Sequence, residues 1–473
     1  QGMRFANAYG AAFCAPARAC LLTGMHDCHA GRWTFTKGGL YGDFASGKMS
    51  LEEVSEEIHN TGIQPRDGDT YLPRFLKRNG YVNGQIGKLE WGFSTTAARI
   101  QAHGWDYHYG YYDHGQCHGF YPPYLFENGR CVRIDGNTRG DFGRGPIGPF
   151  YEGTLDHDPE GRVVYSQDLF DEKITAFLRE HRDEPFFLYH PSQLPHGPIY
   201  FPDIPQELAD NGMLTQVEKE YAAMVLRLDQ TVGLIIQELE ALDLLDQTIL
   251  MFASDNGHFP YYDQPGRSRP REDLHGNSLD QLRKRFTTET CGDIFNGNGG
   301  LAGIKATNWE GAARIPFIIS WPGEIEGDSV SDQLVSNYDT LATLADATRS
   351  EPGIHTDGIS FLPVARGEYQ TNGHGHIVYA SQYGPSIVSS EGWKLRTFLH
   401  KDAILDFNGM GAHLRNIREA FVCQLYHLRE DPREDRDLSA KHPERVDALL
   451  IDLLRACDGN LINGTPQAHF AFS

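Results

Sequence analysis

The chain has 473 residues, 40% of them hydrophobic and 22% charged, so it can bury a large core and form two domains. Its 64 acidic against 42 basic side chains leave a net charge of -22, which argues against a nucleic-acid binder, whose affinity comes from Lys and Arg displacing counterions from phosphates. No apolar run is long enough for a membrane span, and no signal peptide stands at Gln1.

In chain order, the first marked feature is Cys14-Ala15-Pro16-Ala17-Arg18, continued by an apolar run to Gly24. Read alone it is a buried cysteine at a proline-marked helix start, with Arg18 one helical turn beyond Cys14. Residues 82–86 read as a strand ending at Gly87-Lys88. Residues 103–128 interleave aromatics, Trp105 and Tyr121 among them, with His108, His114 and His118; such faces stack on sugars or, equally, pack a core. Residues 186–190 form the next strand, shortly before His196 in Leu194-Pro195-His196-Gly197-Pro198. From 221 to 245, Val225, Leu228, Val232, Ile235, Leu239 and Leu242 recur with the period of an amphipathic helix. That helix feeds a strand at 248–253, which ends in Ser254-Asp255-Asn256-Gly257.

Between 257 and 300 Gly, Pro, Asp and Arg dominate, with one short helix expected at 278–286. Arg267, Arg269, Arg271, Arg283, Lys284 and Arg285 concentrate positive charge there, for a polyanionic chain or as a solvated face. Gly303-Ile304-Lys305 and Trp309-Glu310-Gly311 precede a buried strand at 314–320. Beyond about 345, short strands at 376–380, 386–389, 393–398 and 425–428 precede a helix with Val446, Leu449, Leu450, Leu453 and Leu454 on one face.

Strands alternating with helices predict an α/β fold with a largely parallel central sheet flanked by helices over residues 1–345, and a smaller C-terminal α+β subdomain over 346–473. The chemistry-bearing residues follow strand ends, where open α/β sheets place their ligands. Among the eight cysteines there is no CxxC pair and no zinc spacing; a loop disulfide between Cys117 and Cys131 is the one pairing expected. Asp255 and Asn256 offer hard oxygens side by side, suited to calcium or magnesium, although Asp-Asn-Gly is also ordinary turn chemistry.

Residues 14–24, C-A-P-A-R-A-C-L-L-T-G, resemble the signature of the type I, formylglycine-dependent sulfatases, C-x-P-S-R-x-x-L-L-T-G, with Ala17 where that signature has serine. Behind it Gly87-Lys88, His196-Gly197-Pro198, Ser254 to Gly257, Gly303 to Lys305 and Trp309 to Pro316 follow the family's order across nearly the whole chain. The resemblance implies the alkaline-phosphatase-like sulfatase fold and hydrolysis of a sulfate ester on a carbohydrate. It implies a formylglycine-generating maturation enzyme that oxidises Cys14. One oxygen of the aldehyde hydrate then attacks sulfur and the other expels sulfate, splitting one hard step into two. Arg18, Lys88 and Lys305 are expected on the sulfate oxygens, and His196 as the acid for the leaving alcohol. Asp255 and Asn256, with the residue made from Cys14, are expected to hold calcium or magnesium. Trp91, His118 and Tyr121 are the expected substrate contacts, in a periplasmic or secreted protein.

Two departures qualify the resemblance. Glu90 stands where the family has a histidine that assists collapse of the sulfated diol; a carboxylate could take that proton but adds negative charge beside a dianion. No Asp-Asp pair occurs in the sequence, so the first strand with the family's remaining metal ligands is expected to lie outside this chain, and calcium binding to be weak. The same diol could attack phosphorus, which makes a phosphonate monoester or phosphodiester hydrolase the rival expectation. A non-catalytic binder of sulfated glycans is the third.

Overall fold

The structure, a computed structural model, describes residues 2–30, 39–61, 70–138, 160–197, 199–201, 203–260, 272–277, 284–350, 355–368, 373–400, 418 and 420–465. The chain enters on strand β1 (Met3–Tyr9) and turns into helix α1 (Cys14–Thr23). Pro16 sits in the first turn of α1, where its missing N–H has no intrahelical partner to lose. Gly24 ends the helix at φ 69°, its N–H on the Cys20 carbonyl, a left-handed cap that glycine adopts without strain. Then follow β2 (Val82–Gly87), β3 (Tyr107–Gly110), β4 (Tyr124–Glu127), β5 (Arg130–Arg133), α2 (Ser166–Glu180), β6 (Phe186–Tyr189), α3 (Gln216–Ala241) and β7 (Leu250–Ala253). The chain continues through β8 (Phe317–Ser320), β9 (Ser329–Ser336), β10 (His376–Tyr379), β11 (Ser386–Ser389), β12 (Trp393–Leu399), β13 (Phe421–His427) and α4 (Pro443–Ala456).

These strands form sheets ordered β7-β8-β1-β9, β5-β4-β3-β2-β6 and β10-β11-β12-β13. The α/β architecture is as expected, but the first two sheets are mixed rather than largely parallel. β1 runs parallel to β9, and β2 runs parallel to both β3 and β6; β8 is antiparallel to β1 and β7, and β3, β4 and β5 form a meander. The meander has a local cause. Asn128 and Gly129 join β4 to β5 with φ of 48° and 87°, both positive, as a two-residue turn of type I′ requires. At Gly84 in β2, an added Cβ would lie 2.6 Å from the Phe177 ring, so glycine lets α2 lie close on this strand.

β6 and β7 each stand at the edge of a sheet, and both line a groove of about 1580 Å³ that also reaches Arg18, Lys88, Asp255 and Lys305. The apolar stripe of α3 turns toward this groove: Leu228, Val232 and Ile235 line it, and Val225 is 41% exposed. The expected terminal helix is α4, whose Val446, Leu449, Leu450, Leu453 and Leu454 are buried with Ile387, Leu395 and Leu425 of the antiparallel sheet. The expected helix at 278–286 lies largely outside the described residues, as do Arg267, Arg269, Arg271 and Arg283. Arg285 pairs with Asp435 at 2.8 Å.

All eight cysteines are unbridged, which corrects the expected pairing of Cys117 with Cys131. Cys117 is fully buried with its Sγ 3.1 Å from the His114 carbonyl, whereas Cys131 sits on the edge strand β5, opposite Phe126.

Replacing Leu450, which is 0% exposed, by alanine is expected to cost about 2–5 kcal/mol in urea unfolding; Ile451→Ala, at a residue 37% exposed, should stay within about 0.5 kcal/mol. Burial holds His26 at about 4, against the pull of Asp357, and His108 at about 3, both below the ordinary 6.5. The unfolded chain therefore takes up these protons first. The contribution of these two histidines should be full above pH 6.5 and be lost as pH drops through the window toward 4 and then 3, read as a smaller fall of the urea midpoint with acid in His26→Gln and His108→Gln than in wild type.

Candidate active site

Four separate strand and helix ends deliver side chains to one place. Cys14 and Arg18 lie on the first turns of α1, where the helix dipole favours negative charge. Lys88 follows the last residue of β2, its N–H on the Pro191 carbonyl at 2.8 Å. Asp255 and Asn256 follow β7, and the next residue, Gly257, donates to the Ala312 carbonyl at 2.7 Å. A Cβ at Gly257 would lie 1.8 Å from the Gly311 carbonyl oxygen, so only glycine permits the backbones to approach this closely. Lys305 lies on the turn before Trp309, its N–H on the His258 carbonyl at 3.1 Å.

The cluster is cationic and largely buried. Cys14 is 2% exposed, Arg18 4%, Lys88 3% and Lys305 7%. Burial by itself would raise the Cys14 thiol, but Lys305, Lys88 and Arg18 together bring it below its ordinary value, against Asp255. Burial lowers the Lys88 ammonium, with Arg18 and Lys305 adding to the effect and Cys117 and Cys14 opposing it. The Nε and Nη2 of Arg18 are buried with no hydrogen-bond partner. A buried guanidinium with open donors is costly unless an anion fills them.

His196 closes the other side. Its Nδ1 lies 2.6 Å from the Gly197 carbonyl and its Nε2 3.1 Å from the Lys305 Nζ. A carbonyl only accepts, so Nδ1 carries the proton and Nε2 accepts from the ammonium. Burial, then Lys305, His118 and Lys88, hold this imidazole well below its ordinary value. His118 stacks on it with ring centroids 4.2 Å apart and planes 2° from parallel, and His114 meets His118 edge-on at 4.5 Å.

The structure thus brings together Cys14, Arg18, Lys88, His196, Lys305, Asp255 and, through His196, His118. It does not bring Glu90, Trp91 or Tyr121 to them. Glu90 accepts from the Trp105 indole at 2.7 Å and lies 2.5 Å from the His103 Nδ1; both oxygens are thereby used in a neighbouring aromatic cluster. Trp91 clusters there with His103 at 4.4 Å and Tyr71 at 5.4 Å, those two rings being 5.1 Å apart. Tyr121 is core, 5% exposed and edge-on to Tyr165 and Tyr200. The aromatic run as a whole is interior: Trp105, Tyr109, Tyr111, Tyr112, Phe120 and Phe126 are each 3% exposed or less. His114 and Cys117 were not expected at the site. Their ligand atoms and that of His118 lie within 4.8 Å of one another, and the H-x-x-C-H spacing on one short turn was the available signal.

The residues present fit part of a divalent-cation shell. The Asn256 Oδ1 is buried with no partner, and the Asp255 carboxylate acts electrostatically on both Cys14 and Arg18. Hard oxygens in this pairing suit calcium or magnesium, and they supply two of the roughly six to eight that calcium takes.

The profile of the sulfatase family matches residues 1–350. An N-acetylgalactosamine-6-O-sulfatase of Bacteroides thetaiotaomicron is 26% identical, over 95% of this chain and 85% of the relative. The human N-acetylgalactosamine-6-sulfatase is 28% identical, over 99% of this chain and 81% of the relative. A solved structure from work on glycosaminoglycan metabolism by Bacteroides thetaiotaomicron superposes with a TM-score of 0.64 at 24% identity, over 97% of this chain and 92% of that one. The fold and the profile define an alkaline-phosphatase-like α/β hydrolase of sulfuric esters. The chain belongs to the sulfatase family. Among the described residues no helix is long and apolar enough to cross a membrane.

If Glu90 serves the aromatic cluster, Glu90→Ala should cost about 3–5 kcal/mol in urea unfolding, as removal of one partner from a buried polar pair does. Its affinity for inorganic sulfate, measured calorimetrically, should be unchanged. A tenfold loss of that affinity would return Glu90 to the site.

Proposed function

We propose that the chain removes sulfate from a sulfated carbohydrate, with a formylglycine made from Cys14 by a maturation enzyme as the nucleophile. The observation that carries this reading is the buried Arg18 with open donors beside Cys14, Lys88 and Lys305. Such a pocket in a chain of net charge -22 is built for a compact dianion.

Arg18 presents its fork to sulfate oxygens, while Lys88 and Lys305 act as point charges on the oxygens that gain charge in the transition state. The formylglycine hydrate supplies the attacking oxygen and a second hydroxyl through which the enzyme is regenerated. A divalent cation, held by the Asp255 carboxylate and the Asn256 Oδ1, would add positive charge against the same oxygens. His196 handles the leaving-group proton at Nε2. Its Nδ1–H is committed to the Gly197 carbonyl and its Nε2 faces the Lys305 ammonium 3.1 Å away, so the two hold one proton between them on the leaving-group side; once that proton passes to the leaving oxygen, Arg18 and Lys88 carry the positive charge against the sulfate oxygens. His118 lies flat on His196 and excludes water from that face.

The relatives named above act on N-acetylgalactosamine 6-sulfate, which makes a 6-sulfated amino sugar the first substrate to test. The aromatic run contributes no stacking platform, because it is buried. A periplasmic or secreted location, where such glycans are met, goes with this reading.

After co-expression with a maturation enzyme, mass spectrometry of the Cys14 peptide should show formylglycine; an unmodified thiol would sink the proposal. Sulfate release from a 6-sulfated amino sugar should exceed turnover of an aryl phosphonate, and the reverse order would favour the phosphorus substrate. Lys88→Ala should lower kcat/KM by about 10²–10³, the loss seen when one oxyanion donor is removed. Lys305→Met takes away a neighbouring charge that depresses His196. It also takes away the proton that Lys305 shares with His196, leaving an imidazole that burial still holds below its ordinary value, so the residual rate should fall and its alkaline limb move to lower pH.

A further inference from the structure

Lys305 is carried by a turn that the antiparallel C-terminal sheet grips, although that sheet contributes no side chain to the cation cluster. Ala306, the next residue, has φ 75°, a left-handed conformation that is strained for a non-glycine residue and persists only where its surroundings over-determine it. Those surroundings are visible. The Ala306 N–H donates to the Ala12 carbonyl at 2.7 Å, and its own carbonyl accepts from the Gln382 N–H at 3.2 Å. The Thr307 hydroxyl closes the turn on the Ile304 carbonyl at 2.7 Å.

Asn308 follows, 0% exposed. Its Oδ1 accepts from Nε and Nη2 of Arg396 at 3.0 and 2.6 Å, and its amide donates to the Thr397 carbonyl at 2.6 Å. The Asn308 carbonyl accepts from the hydroxyl of Tyr379 at 3.2 Å. The Arg396 guanidinium also lies 3.5 Å over the centroid of Trp309. Two residues earlier on β12, and so on the same face of the strand, Lys394 lies 2.8 Å from Glu434 and 3.4 Å from Glu310. Arg396 and Lys394 are both 0% exposed. Two buried charged side chains of one strand thus reach residues 308–310, three to five residues beyond Lys305, while Glu434 and Gln424 hold their other sides.

We propose that Arg396 and Asn308 are positioning residues for Lys305: the C-terminal sheet, through the Arg396 fork on Asn308, sets the ammonium beside His196. The forked geometry matters because a bidentate contact fixes orientation as well as distance. The catalytic meaning of this placement rests on the sulfatase reading above; the placement itself does not.

The test uses the full chain. Arg396→Met and Arg396→Lys are compared with wild type for binding of inorganic sulfate and for titration of the His196 imidazole by NMR, both without turnover. His196 faces Lys305, His118, Lys88 and the Gly197 carbonyl. Loosening Lys305 should weaken sulfate binding about tenfold and move the His196 titration upward. Arg396→Lys, which keeps the charge but not the fork, should not rescue either. In a Lys305→Met background, Arg396→Met should add nothing further.

Full rescue by Arg396→Lys, or an equal effect of Arg396→Met with and without Lys305, would reduce Arg396 to a structural residue and overturn the proposal. Should Arg396→Met not fold, Ala306→Gly serves in its place. Glycine accepts φ 75° without strain, and the freed turn should shift both readouts in the same direction only while Lys305 is present. Wild type that shows this pattern but releases no sulfate from any sulfated sugar would count against the sulfatase reading and leave the positioning role standing.

Discussion

Three cationic side chains buried around one cysteine are the constraint on which the rest of the site depends. Arg18, Lys88 and Lys305 are each less than a tenth exposed, and Arg18 and Lys305 both push the Lys88 ammonium down, as like charges in a buried setting do. The fold therefore holds these groups against their own repulsion. The consequences spread to every neighbour: the Cys14 thiol is lowered, the Lys88 ammonium is lowered, and His196 and His114 are held neutral. All of this relaxes when a doubly charged anion enters. An acidic protein with one such pocket selects its ligand by charge first and by shape second.

Holding like charges together requires rigid, independent supports. Cys14 and Arg18 share a helix buried nearly all round, Lys88 is tied to Pro191 across the β2–β6 pair, and Lys305 is pinned from a different sheet. No single element carries two of the three cations. A shift of one support cannot be followed by the others, and the strain stored at Ala306 fits a turn whose position is fixed from outside. The Asn256 Oδ1 left open beside the cluster is the counterpart of the Arg18 donors left open within it: one awaits a cation, the other an anion.

Much of this was legible in the sequence. The strands before Lys88 and Asp255 stood out by the Gly87 and Ser254-Asp255 that end them, the β12 strand as a short run from Trp393, and α4 by its leucine period. The misreadings have physical causes. The run from Trp105 to Phe126 has a composition that serves sugar stacking and core packing alike, and only the meander around Asn128-Gly129 decides that these faces turn inward. Glu90 occupies the motif position of a catalytic histidine, but a side chain's direction depends on what waits for it. His103 and Trp105 offer a buried carboxylate two donors, and the cluster beside Lys88 is left to His118 and His114. Cys117 and Cys131 are near in sequence, yet one lies in the core and the other on an edge strand.

The sequence by itself determined which reactive groups are present and that each follows a strand end or opens a helix, because those preferences are local and short motifs record them. It determined the family through the order of those motifs. Only the tertiary structure decided that Arg18 is left with open donors, that the His196 Nε2 faces the Lys305 ammonium, and that Arg396, some ninety residues further along the chain, reaches the residues just beyond that lysine. Those are contacts between elements with no pattern in common, and burial and hydrogen-bond geometry exist only once the chain has closed on itself.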